Sequence, residues 1–129
     1  MPLVRIDVQA GRTPAELRAL ADTVQEVMLD VFAAPAGDRY QIITEHAVGH
    51  IIAEDTGLGL ERSEGVTVIQ IFQQGRNAEH KQAAYDQLAK RLDAAALVRP
   101  EDLIVSVMAN EREDWSFGLG RAQFLTGEL

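Results

Sequence analysis

The sequence predicts an α/β fold (α+β by some schemes) of two tandem β-α-β units, with both helices on one face of the sheet. Three observations predict it. Hydrophobic spacing changes period in the order strand, helix, strand, and then does so again. The segment QAGRT at 9–13 recurs as QQGRN at 73–77, an offset of 64 residues. At the same offset Asp38, ahead of one predicted strand, falls on Asp102 ahead of another, and Pro2 falls on Val66. A strand–helix–strand unit with one long helix implies parallel pairing within the unit and helices packed on one sheet face.

Each element follows from its own pattern. Val4, Ile6 and Val8 alternate with Arg5, Asp7 and Gln9, so residues 3–9 read as a half-buried strand. Thr13-Pro14-Ala15-Glu16 is a helix start: Thr13 at the N-cap, Pro14 at the first helical position and Glu16 completing a capping box. Leu17, Leu20, Ala21, Val24, Val27, Met28 and Val31 then supply one apolar face, and Pro35-Ala36-Gly37 ends the helix. Residues 40–44 form a short second strand, and residues 50–53 are expected to form another before the loop EDTGLGLERSEG. Residues 66–72 are the most apolar strand; Asn77 caps a helix from about 78 to 96 that carries Ala84, Tyr85, Leu88, Leu92 and Ala95. Residues 103–108 are the last clear strand, and the turn-rich arm 110–129 holds the only tryptophan.

At 129 residues the chain is expected to be a single domain, with repeat units at about 2–45 and 66–109 and the arm 110–129. The net charge of −8 argues against nucleic acid or an anionic membrane as partner, while leaving room for a small anionic substrate. There are no cysteines, which removes disulfides, thiolate metal sites and cysteine nucleophiles and fits a cytoplasmic location. MPLVRIDVQ has no basic region followed by a long apolar run, so no secretory leader is expected, nor is any stretch long enough to span a membrane. Four main strands leave sheet edges to be covered, which points to closed homo-oligomerisation with the C-terminal arm as a further cover.

Pro2 is the first residue that invites a chemical reading. Proline is tolerated at the first position of a strand because it has no N–H for the ladder. Loss of Met1 would instead leave Pro2 as a free secondary amine held by a strand, able to act as base, acid or nucleophile. Other residues carry two readings each. Asp38 heads a strand after a glycine turn and is either a turn residue, like its mate Asp102, or a carboxylate beside the amine. Arg76 shares its place before a helix with Arg12, and Trp115 and Phe117 suit either arm packing or a site wall. His46 and His50, near Glu45, Glu54 and Asp55, lie on strand and loop without a helical HExxH, so no metal site is expected. Gly57-Leu58-Gly59 and Gly118-Leu119-Gly120 are two-glycine loops, not phosphate fingerprints.

The MP start, the duplicated unit, GRT, PAGDRYQ, EDTGLGLERS and DWSFGLGRAQFLTGEL together resemble the tautomerase superfamily, and within it the malonate semialdehyde decarboxylases. The resemblance implies a tautomerase-like fold, a homotrimer, no cofactor and no metal, and a small anionic 3-oxo acid as substrate. It places the catalytic proline on Pro2, the aspartate on Asp38, the arginine after the third strand on Arg76 and the aromatic pair on Trp115 and Phe117. One departure stands out. Where one form of the family carries two arginines spaced by one residue, this chain reads Gln74-Gly75-Arg76, so the resemblance leaves carboxylate binding to Arg76 with Gln74 beside it.

The implied reaction is conversion of 3-oxopropanoate to acetaldehyde and CO2. Electrons released at the broken C–C bond need positive charge at the carbonyl oxygen, which a protonated Pro2 supplies by hydrogen bonding. Attack by a neutral Pro2 to form an iminium is the other route. Asp38 near the amine favours the cation, and burial or Arg76 disfavours it. Two further readings stand beside decarboxylation: a promiscuous tautomerase or hydratase of 2-oxo or unsaturated acids, and a non-catalytic binding protein that keeps the fold.

Overall fold

A computed structural model describes residues 2–129, and the alternating run at its start is β1 (Leu3–Gln9). It is followed by α1 (Pro14–Val31), β2 (Tyr40–His46), β3 (Thr67–Gln74), α2 (Ala78–Ala94), β4 (Leu103–Asn110) and the short α3 (Gln123–Thr126). The sheet order is β2-β1-β3-β4, with β1 parallel to β2, β3 parallel to β4, and the two units joined by antiparallel β1 and β3. This is a mixed four-stranded sheet assembled from two β-α-β units.

The pleat decides the two faces. Val4, Ile6 and Val8 pair with Ile71, Ile69 and Thr67, and all six are buried on the helix side. Against them pack Leu20, Val24, Val27 and Met28 of α1 and Ala84, Leu88 and Leu92 of α2. Full burial of each large apolar side chain stabilises by about 1.5–3 kcal/mol, so this layer dominates the fold. Tyr85 and Ala95 lie outside the buried stripe of α2.

Thr13 caps α1 as its sequence requires: Thr13 Oγ1 accepts from Glu16 N–H at 3.1 Å, and Glu16 Oε1 accepts from Thr13 N–H at 3.2 Å. Residues 50–53, expected as a strand, are not one. Both edges of β1 are occupied by β2 and β3. The chain turns instead, with His50 N–H bonded to Ala47 C=O at 2.9 Å and Gly49 N–H bonded to Gln9 Oε1 at 2.6 Å, and Ile52 is left 87% exposed. Among the described residues no helix is long and apolar enough to cross a membrane.

Candidate active site

The amino end of β1 is where the candidate residues meet. Leu3 pairs with Tyr40 on one side and Phe72 on the other. Continuing that register by one residue sets Pro2, which is buried, opposite Gln73 and level with Arg39, next to Asp38 in the chain. Asp38 sits in the turn after α1, its N–H bonded to Pro35 C=O at 3.1 Å. Among the described residues, the buried side-chain oxygens or nitrogens with no hydrogen-bond partner are Asp38 Oδ2, Gln73 Oε1 and Gln74 Oε1. All three are acceptors, and all three belong to this end of the sheet. Orphaned buried acceptors cost about 1–3 kcal/mol each unless a donor arrives, so this end of the sheet is short of N–H and O–H donors.

Arg76 is held more tightly than its sequence position suggested. Its Nε–H donates to Phe32 C=O at 3.1 Å, Nη2 donates to the same carbonyl, and Nη1 donates to Gln74 C=O at 3.0 Å and Gly75 C=O at 3.3 Å. The guanidinium also lies over the Phe32 ring, 5.8 Å from its centroid. Of the five N–H bonds of a guanidinium, one on Nη2 is left for another partner.

The C-terminal arm closes the other side. Trp115 Nε1–H donates to Asn110 Oδ1 at 2.8 Å, and Asn110 is the register partner of Gln74. Trp115 stacks on Phe117 with ring centroids 5.4 Å apart and an interplanar angle of 9°. Phe117 in turn meets Tyr40 at 5.6 Å and the edge of Phe124 at 5.5 Å. Because Tyr40 pairs with Leu3, the arm has crossed from β4 to the β1–β2 side at the end where Pro2 stands. Sequence reading missed Gln73, Asn110, Tyr40 and Phe124. For Gln73 a signal existed, since it matches Gln9 in the repeated QxGR segment; for the others only the crossing of the arm reveals the contact.

Among the described residues no group of three or more histidine, aspartate or glutamate side chains is gathered closely enough to hold a metal ion. His46 Nε2 lies 2.7 Å from Asp7 Oδ1 on the sheet face away from the helices.

A family profile described as "Tautomerase enzyme" matches residues 38–118, and a second with the same description matches residues 2–61. The chain belongs to the tautomerase family. Its sequence is 46% identical to "Probable tautomerase YrdN" of Bacillus subtilis over 129 residues, all of both chains. A malonate semialdehyde decarboxylase, solved in wild-type form, with its first residue changed from proline to alanine, and inactivated, superposes with a TM-score of 0.94 at 41% identity over 98% of each chain. A fused 4-OT protein solved as a symmetric trimer shares the fold alone, with a TM-score of 0.78 at 21% identity, covering 97% of this chain and 98% of its own. One tautomerase family match begins at Pro2.

Proposed function

We propose that this tautomerase-family chain is a cofactor-independent decarboxylase that converts 3-oxopropanoate to acetaldehyde and CO2, using Pro2 as its terminal amine once Met1 is removed. The observation that carries the reading is the set of unpartnered buried acceptors, Asp38 Oδ2, Gln73 Oε1 and Gln74 Oε1, at the sheet end where Pro2 stands. Acceptors favour a protonated amine over a neutral one, because the ammonium brings N–H donors and positive charge. A cationic Pro2 suits carbonyl polarisation; the proton abstraction of a tautomerase needs the neutral form. The likeness to a malonate semialdehyde decarboxylase over nearly the whole chain supports the same reading.

In this mechanism one ammonium N–H binds the aldehyde oxygen and stabilises the negative charge that grows there. The carboxylate takes the remaining Nη2–H of Arg76 and the amide N–H groups of Gln74 and Asn110. Trp115 and Phe117 wall it off from water, which favours release of neutral CO2. The pair of electrons from the broken C–C bond becomes the enolate, whose carbon then takes a proton from water to give acetaldehyde. Asp38 holds the amine in its charged form.

A homotrimer is part of the proposal. The sheet face away from the helices leaves Tyr40, Ile42 and Met108 exposed in the single chain, and the fused 4-OT relative of this fold is a trimer.

The test is proton NMR of freshly made 3-oxopropanoate with enzyme whose intact mass shows loss of Met1. Acetaldehyde should appear, and Pro2→Ala should slow its formation by about 10²–10⁴-fold, the range for loss of a positioned acid. Processed protein that makes no acetaldehyde but isomerises a 2-oxo acid would replace this reading with the tautomerase one.

A further inference from the structure

We propose that Gln73 is a positioning residue: its buried Oε1, directly across the β1–β3 pair from Pro2, accepts one N–H of the Pro2 ammonium and so aims the other out of the sheet end. This rests on the terminal-amine reading above. In the resting enzyme the outward N–H faces Asp38, and in turnover it faces the substrate carbonyl.

The orientation of the Gln73 amide is fixed by its neighbour. Nε2 donates to Gln74 C=O at 3.2 Å, and only the nitrogen end can face a carbonyl, so Oε1 faces away from it. The side chain is 1% exposed, which leaves water no route to satisfy that oxygen. Side chains directly opposite on antiparallel strands have Cβ atoms about 4.5–5.5 Å apart, within reach of a glutamine.

The opposite end of the sheet is the internal comparison. Gln9 occupies there the place of Gln73, and the same register sets it opposite Val66 as Gln73 is set opposite Pro2. Both ends of the Gln9 amide are satisfied: Oε1 by Gly49 N–H at 2.6 Å and Nε2 by Glu64 C=O at 3.0 Å. Asp102, the mate of Asp38, is satisfied too, by Ser63 N–H at 2.7 Å, Ser63 O–H and Arg99 Nε–H at 3.1 Å. The connection between β2 and β3 therefore supplies donors to both acceptor positions at that end of the sheet. At the end where Pro2 stands, no donor among the described residues reaches Gln73 Oε1 or Asp38 Oδ2. A secondary ammonium at Pro2 supplies two N–H bonds at that place.

The charged groups at this end of the sheet are Asp38 and Arg39 ahead of β2 and Arg76 after β3, with Phe32 just past α1. Arg39 is engaged by Gln41 Oε1 at 2.8 Å and Asp22 Oδ1 at 2.7 Å, and Arg76 by Phe32 and Gln74 carbonyls. Both are present in every variant compared, so a change at Gln73 reads out its own contact.

The experiment is a ¹⁵N NMR titration of protein labelled at proline, with Met1 removal verified by mass. Gln73→Leu should lower the pKa of the Pro2 nitrogen by about one unit, the size of one lost hydrogen bond to a charged group, and move the basic limb of kcat/KM down with it. Gln73→Glu should raise that pKa. A nitrogen pKa unchanged in Gln73→Leu, even with a lower Tm, overturns the proposal; if that variant does not fold, an unchanged pKa in Gln73→Glu does so. The titration needs no substrate. Failure of the decarboxylase reading would show as absent acetaldehyde, retained Met1 would show in the mass, and failure of Gln73 would show only in the titration.

Discussion

Arg12 and Arg76 stand 64 residues apart and perform the same structural task at opposite ends of the sheet. Arg76 binds Phe32 C=O, just past α1, and Arg12 binds Leu97 C=O, just past α2, through Nε at 3.3 Å and Nη2 at 2.9 Å. Each arginine thus neutralises the negative end of the other unit's helix and satisfies a carbonyl there. Charge-assisted hydrogen bonds of this kind contribute about 1.5–3 kcal/mol, so Arg12→Ala and Arg76→Ala should each lower the unfolding free energy by about 2 kcal/mol in urea titrations. Activity should separate them. Assayed at a temperature where both remain folded, Arg76→Ala should lose turnover of 3-oxopropanoate by at least about 10²-fold, whereas Arg12→Ala should retain it. Equal retention in both variants would reduce Arg76 to a clamp and remove it from the proposed carboxylate site.

At the scale of elements, the sequence was most informative where a local signal names its own partner. Thr13 and Glu16 cap each other across one turn, so the start of α1 was legible from four residues; Thr13→Ala should cost about 1 kcal/mol, read as a lower urea midpoint. The repeat made β3 the counterpart of β1 and α2 the counterpart of α1 because the same residues recur at matching positions. The connection between β2 and β3 was not legible, since its contacts are made by backbone groups and single polar side chains that carry no periodicity. Ser63 is the clearest case, a loop serine that satisfies Asp102 39 residues away. The same limit hid the role of Asn110 under Trp115. Asp102 also gives that connection a pH signature. Burial alone would raise its carboxyl pKa, but the hydrogen bonds from Ser63 and Arg99 overcome this and hold it below the ordinary value. A carboxyl depressed on folding contributes stability that is present above its unfolded pKa of about 3.9 and is lost as pH falls through the folded value. Asp102→Asn should therefore destabilise the protein at pH 7, with the gap to the wild type closing on acidification below about pH 4. A gap that stays constant with pH would mean that shape, not charge, makes Asp102 fit.

The whole molecule leaves one sheet face open. Leu3, Ile42, Val68, Phe72, Ile104 and Met108 lie on the face opposite the helices by register, together with Arg5, Asp7, Thr44 and His46. Ile42 is 45% and Met108 44% exposed in the single chain, on the edge strands β2 and β4, whose outer backbone groups are unpaired within the sheet. Edge strands with apolar side chains invite association, and a closed trimer would cover both edges and the face between them. This arrangement ties assembly to the site, because Tyr40 stands at the start of the exposed face of β2 and also carries Phe117 of the arm. A carboxylate at position 108 would face Phe72, the register partner of Met108, and burying it unpaired costs several kcal/mol per subunit. Met108→Glu should therefore shift the protein from trimer to monomer in light scattering coupled to gel filtration, with the helix content of the circular dichroism spectrum retained. The monomer should also lose turnover if the arm needs the assembled face to hold Phe117 against Tyr40. A variant that remains trimeric with full activity would place the interface elsewhere on the molecule and leave the open face without its proposed occupant.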